Sequence, residues 1–303
     1  TKDYETAKWF QQQLRKDFDK PFFMAVGFSK PHLPFYAPQA YFDLYDLQAV
    51  QVPEYRMDDL DDILDREGKK AFRPHIDFLW CQEYGVMKEA VRAYMAAASY
   101  ADACVGVVLD ALANGPSADN TIVVLWGDHG WHLGEKLRFR KATLWREATQ
   151  LPLIIQVPGI KKREDCMRNV NLIDLYPTLI DLCGLPEKKL DGKSIKPLLQ
   201  NPTLQWTPTL TTQGAGNHSV MSEKWHYITR KNGVDELYDL EHDPLEWTNL
   251  MQTQPGESQA VIAKLRPFLP ERDAEEIPKS GKDKSAKTID PTIKPRRDLS
   301  KLK

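Results

Sequence analysis

The chain has 303 residues, a formal net charge of −2, and 42% hydrophobic and 28% charged residues. That length suits one large α/β domain with room for a smaller one, and near-neutrality without a basic face ahead of the tail excludes a nucleic-acid footprint. No apolar run approaches the roughly 18 residues of a membrane span, so no membrane is expected. Cys81, Cys104, Cys166 and Cys183 form no CxxC pair and are too few for a disulfide scaffold, which leaves the redox compartment open.

The chain opens at Thr1 without Met or signal peptide and reads as the C-terminal portion of a longer protein. Tyr4 to Phe18 has helical spacing, Pro21 breaks it, and Phe22 to Phe28 reads as a buried strand. Residues 29–35 form an irregular loop holding two prolines, and Ala40 to Tyr45 suits a short helix. Residues 47–82 are acidic and loop-like; their run Asp58-Asp59-Leu60-Asp61-Asp62 lacks the glycine and terminal Glu of an EF-hand and reads as a solvated helix start. Glu83 to Asn114 is the strongest helix, followed by strands at 121–126 and Leu151 to Val157 and a helix from Asn171 to Cys183. This alternation predicts a mostly parallel sheet flanked by helices over residues 1–204. Over 205–270, short strands at 207–213, 219–222, 225–230 and 236–240 predict a small antiparallel subdomain closed by a helix from Gln259 to Leu269. Residues 271–303, rich in Lys, Asp, Glu and Pro, read as a disordered tail.

The chemistry gathers where the apolar run 122–126 stops at Gly127-Asp128-His129-Gly130. A carboxylate and an imidazole at the end of a buried strand sit where α/β sheets bind ligands and metals. Asp128 offers hard oxygen, which suits Ca²⁺ or Mg²⁺, and His129 offers nitrogen. His132 completes an HxxH spacing with His129, but no third zinc ligand stands at a telling distance. Lys136, Arg138, Arg140 and Lys141 follow closely and suit a tetrahedral oxyanion. His32, in a second loop after a strand, could hydrogen-bond that anion or protonate a leaving group.

At this point the chain resembles the C-terminal half of a sulfatase of the alkaline-phosphatase-like superfamily, within the iduronate-2-sulfatase-like group. The carriers are SKPHLPF (29–35), YMAAASYADACVGVVLDAL (94–112), TIVVLWGDHGWHLGEK (121–136), RKATLWREATQLPLII (140–155), NLIDLYPTLIDLCGL (171–185) and ELYDLEHDPLEWTNL (236–250). The resemblance implies sulfate ester hydrolysis on a sulfated carbohydrate, with Asp128 and His129 as ligands of one Ca²⁺. It further implies that Lys141 contacts the sulfate and steadies the departing oxygen, that His32 binds the sulfate group, and that Trp131 and His132 touch substrate. An exported (periplasmic or extracellular) or lysosomal location follows from the same likeness. Such enzymes carry a C/S-x-P-x-R motif whose first residue becomes formylglycine, and none occurs in these 303 residues. The formylglycine and the early Asp-Asp metal pair are therefore expected upstream, in an N-terminal portion of the same enzyme, and the chain alone is expected to be inactive. Two rivals stand beside this reading: a phosphomonoesterase or phosphodiesterase of the same superfamily holding two zinc ions, and a non-catalytic glycan-binding remnant.

Overall fold

Helical spacing is realised in α1 (Lys2–Leu14), α2 (Gln39–Phe42) and α4 (Met87–Ala113) of the computed structural model, which describes residues 1–160 and 164–273. Ala7 on α1 packs against Tyr100 and Cys104 of α4, with Phe28 and Tyr41 closing the cluster. By length and composition alone, α4 could cross a membrane, contrary to the expectation that no stretch is long enough. Arg92, Asp102 and Asp110 interrupt its apolar residues, so no unbroken run marks it, and Ala96, Ala97, Tyr100 and Cys104 are buried inside the protein.

α3 (Ile76–Glu83) falls in the stretch read as loop. Only Phe78 and Cys81 are buried along it, so no apolar stripe marks it; His75 caps it by accepting from the Asp77 backbone N–H at 3.2 Å. The neighbouring acidic run is solvated only in part, with Asp58 and Asp61 exposed. Asp59 is buried against Lys136, and the Asp62 carboxylate accepts from the Asn249 backbone N–H at 2.6 Å.

The segment 22–28 is extended, with Phe22, Met24, Val26 and Phe28 half-buried and the alternate residues exposed, yet no strand pairs with it among the described residues. β1 (Val123–Trp126) pairs with β4 (Leu153–Gln156) in the register Val123↔Gln156 to Trp126↔Leu153. That pairing is antiparallel, as are all sheet pairs among the described residues, where the helix–strand alternation predicts parallel ones. Apolar runs report burial and length but not direction. Between β1 and β4 the chain also makes no long crossover helix, which parallel neighbours require. It forms a small hairpin, β2 (His132–Leu133) with β3 (Phe139–Arg140), and one turn of helix, α5 (Arg146–Thr149). α6 (Leu175–Leu182) and α7 (Lys196–Gln200) follow.

The last layer is a four-stranded antiparallel sheet in sequence order: β5 (Thr209–Thr212), β6 (His218–Met221), β7 (Trp225–Thr229) and β8 (Asp235–Asp239). The period-2 alternation of strands assigns its faces. Val220, Tyr227 and Leu237 meet Ile262 and Leu265 of α9 (Pro255–Leu265), beside α8 (Leu250–Thr253). Ile228 and Tyr238 point the other way, into the core around Leu144 and Trp145. Each such large apolar side chain contributes about 1.5–3 kcal/mol by leaving water. This sheet thus supports the hairpin segment from below. From residue 274 onward, the charged tail lies outside the described residues.

Candidate active site

The Asp128-His129 loop is tied down by its glycines. Gly127 N–H donates to the Pro152 carbonyl at 3.1 Å and Gly130 N–H to the Ala148 carbonyl at 2.9 Å. A Cβ on Gly130 would collide with the Glu147 and Gln150 carbonyl oxygens, so only glycine fits there. At Gly127 a Cβ would meet ordinary contacts.

The Asp128 side chain is 86% exposed, and its Oδ2 lies 3.4 Å from His129 Nε2. Two donors each about 2.4 Å from one cation at right angles stand about 3.4 Å apart, so this pair fits one edge of an oxygen-rich cation site. His129 Nδ1 is engaged with the Gly130 carbonyl at 2.8 Å, which sets the tautomer with the Nε2 lone pair outward. The pair supplies two donors where calcium takes six to eight. Among the described residues the one other cluster of suitable donors, Asp239, Glu241 and His242, belongs to the far end of β8, where Lys224 already pairs with Glu241 at 2.7 Å.

Trp131 gathers the remaining candidates. Lys141 Nζ sits 5.7 Å from its ring centroid, the His129 ring stacks at 6.3 Å, and the His32 ring meets it edge-on at 5.9 Å. Phe35 and Tyr94 hold the indole from further sides at 6.1 and 6.2 Å. The His32 loop arrives there because the buried Asp3 carboxylate on α1 accepts the backbone N–H groups of Ser29 and Lys30, each at 3.0 Å. His32 Nδ1 bonds the Leu33 carbonyl at 2.6 Å, leaving Nε2 available. Residues more than 90 apart in sequence, His32 and Lys141, are thereby brought onto one aromatic ring. Nothing in the sequence pattern marks Trp131 as the hub, because its partners come from three separate segments.

The four basic groups separate. Lys136 is buried and bonds Asp59 at 2.8 Å, Arg138 lies against the Phe72 and Trp145 rings, and Arg140 pairs with Asp77 on α3. Neither Arg138 nor Lys141 has a carboxylate partner among the described residues, but of the four only Lys141 lines the groove. His132, expected at the substrate, is instead fully enclosed, with Nε2 2.8 Å from Thr143 Oγ1 and its ring edge-on to Trp145. Burial, reinforced by Arg138, pushes its pKa down to about 4, so it stays neutral. In the hairpin it stands directly opposite Arg140 of β3. Asp128, His129 and Lys141 line an open groove of 2520 Å³ together with Arg168, Asn169 and the residues of β5.

A sulfatase family model matches residues 1–185, and a model of the N-sulphoglucosamine sulphohydrolase C-terminal region matches 127–275. The chain belongs to the sulfatase family. A sulfatase of Formosa agariphila is 38% identical over 275 residues, covering 90% of this chain and 54% of that protein. Iduronate 2-sulfatase of Mus musculus is 32% identical over 201 residues, covering 55% of this chain and 36% of that one. In fold, the phosphonate monoester hydrolase of Agrobacterium radiobacter superposes with a TM-score of 0.68 at 19% identity, over 88% of this chain and 61% of that one. The chain spans about half the length of curated relatives that it matches over most of its own length. The alkaline-phosphatase-like fold expected from the sequence is therefore the fold of this sulfatase chain.

Proposed function

We propose that this chain forms one wall of a sulfate ester hydrolase site, acting on sulfated glycans. The observation that carries the reading is the convergence of Lys141, His129 and His32 on Trp131, beside the open Asp128 carboxylate. In this reading Asp128 and His129 hold one calcium ion, which when bound supplies charge neutralisation to a sulfate oxygen. Lys141 presents its ammonium to the sulfate and to the ester oxygen that gains charge as the S–O bond breaks. His32 offers Nε2 as a hydrogen-bond partner to the same group. The nucleophile, a formylglycine hydrate, comes from outside these 303 residues, which contain no C/S-x-P-x-R motif. The enzyme is exported or lysosomal on the same reading.

The test compares the full-length protein with the 303-residue chain on an aryl sulfate, alongside elemental analysis. Hydrolysis by the former with one calcium bound, and none by the latter, is expected. Turnover by the isolated chain would place a nucleophile within it and overturn the assignment. Two zinc ions per molecule would instead favour a phosphoesterase, and a full-length protein that binds sulfated glycan without turnover would favour the remnant.

A further inference from the structure

The segment that carries Lys141 is a strap fastened at both ends to one residue. At its start, Lys136 Nζ donates to the Glu246 carbonyl oxygen as well as to Asp59. At its end, the Arg146 backbone N–H donates to Glu246 Oε2 at 3.1 Å, while Arg146 Nη1 reaches the Pro244 carbonyl at 3.0 Å. Glu246 belongs to the turn between β8 and α8 and is fully buried. Its other carboxylate oxygen accepts from His226 Nδ1, whose Nε2 lies 2.8 Å from Ser219 Oγ. Burial pushes this carboxyl up, but His226, Lys136 and the Arg146 N–H together hold it below its ordinary range, so it serves as an acceptor at both oxygens. The turn is itself fixed by Asp243, which accepts from the Trp247 and Thr248 backbone N–H groups at 3.0 and 2.7 Å.

Backbone conformation singles out the same device independently. Among the described residues, the non-glycine positions with positive φ are Lys136 (52°), Leu137 (51°), Arg140 (75°), Ala142 (67°) and Glu246 (59°). All lie in the strap or are its anchor, and two of them flank Lys141. Such conformations persist only where surrounding contacts over-determine them, and they gather where a side chain must be aimed.

We infer that Glu246 is a positioning residue that sets the placement of Lys141 by clamping both ends of the 136–146 strap. The inference rests on the proposed role of Lys141 at the sulfate. Arg146 is the first residue of α5, and Trp145 before it is extended, with φ −69° and ψ 157°. Proline is accommodated at such a position and, relative to alanine, removes only the N–H that Glu246 holds. The experiment therefore compares Arg146→Pro with Arg146→Ala, which keeps that N–H, in the full-length protein. Arg146→Pro is expected to lower kcat on an aryl sulfate at least about tenfold relative to Arg146→Ala, with KM changed less than about threefold. Amide hydrogen exchange at 137–143 should rise by a similar factor while exchange in α4 does not. In a Lys141→Ala background the proline should cost nothing further, because it acts through Lys141. Equal kcat and exchange in the two Arg146 variants would overturn the clamp, as would an undiminished loss in the Lys141→Ala background. If Lys141→Ala alone leaves kcat unchanged, the proposed function fails, and the exchange comparison still decides whether Glu246 fixes the strap.

Discussion

Lys136 and Lys141 stand five residues apart, and so close a pair would pass for one basic patch. Lys136 is 1% exposed and locked between Asp59 and Glu246, whereas Lys141 borders an open groove with only an aromatic ring beneath it. His132 and His129 repeat the contrast three residues apart: one is neutral inside the core, the other presents Nε2 beside an exposed carboxylate. Within each of these two pairs the inner member is buried and held by its partners, and the outer member lines the groove. Paired charges in a dry interior fix a conformation; an unpaired one at a surface is free to meet an anion.

Exchanging the roles breaks this comparison most severely on the inner side. Lys136→Ala leaves Asp59 buried without its ammonium and should cost about 3–5 kcal/mol in denaturant unfolding of the chain. Lys141→Ala should cost less than about 0.5 kcal/mol in the same measurement. In the full-length protein, however, it should lower kcat on an aryl sulfate by about 10²–10³. Comparable destabilisation by the two alanines would show that the inner and outer lysines do not differ in kind. Gly130→Ala probes the join between the sides. Its methyl would push into the Glu147 and Gln150 carbonyl oxygens, so a loss of about 3 kcal/mol and a weakened calcium affinity are expected. Unaltered melting and calcium titration would mean that the Asp128-His129 loop relaxes freely.

The sequence makes legible what depends on local pattern. The apolar run ending in Asp128, the long helix and the short strands of the last sheet follow from periodicity, and β6, β7 and β8 fall within two residues of their expected spans. Strand direction was not legible, because Val123–Trp126 reads the same against a parallel or an antiparallel neighbour. Nor was the sorting of Lys136 from Lys141, which depends on Asp59 and Glu246, far away on either side in the chain. Resemblance marks Trp131 as a substrate contact, yet its place between His32 and Lys141 depends on Asp3 gripping the loop at Ser29 and Lys30. Side chains whose surroundings come from distant segments carry no local signature.

The smallest effect concerns the inner histidine and is read from pH. In the folded chain His132 titrates near 4, against 6.5 for an ordinary histidine, so the unfolded state takes up a proton first as pH falls. Stability contributed by keeping His132 neutral is present above about pH 6.5 and is lost progressively down to about pH 4. Between pH 7 and pH 5 the loss amounts to about 2 kcal/mol. Glu147, pushed up to about 7 by burial and then by Glu246, acts with the opposite sign, since its protonated form is favoured in the fold and its stabilisation is lost as pH rises. Absolute stability therefore mixes the two, and the informative quantity is the difference between the parent chain and His132→Phe. Whatever its effect at pH 7, the phenylalanine variant should lose about 2 kcal/mol less than the parent on going to pH 5. Parallel stability curves for the two proteins would mean that His132 is open to protonation in the folded state, and the contrast between the inner and outer histidines would then fail.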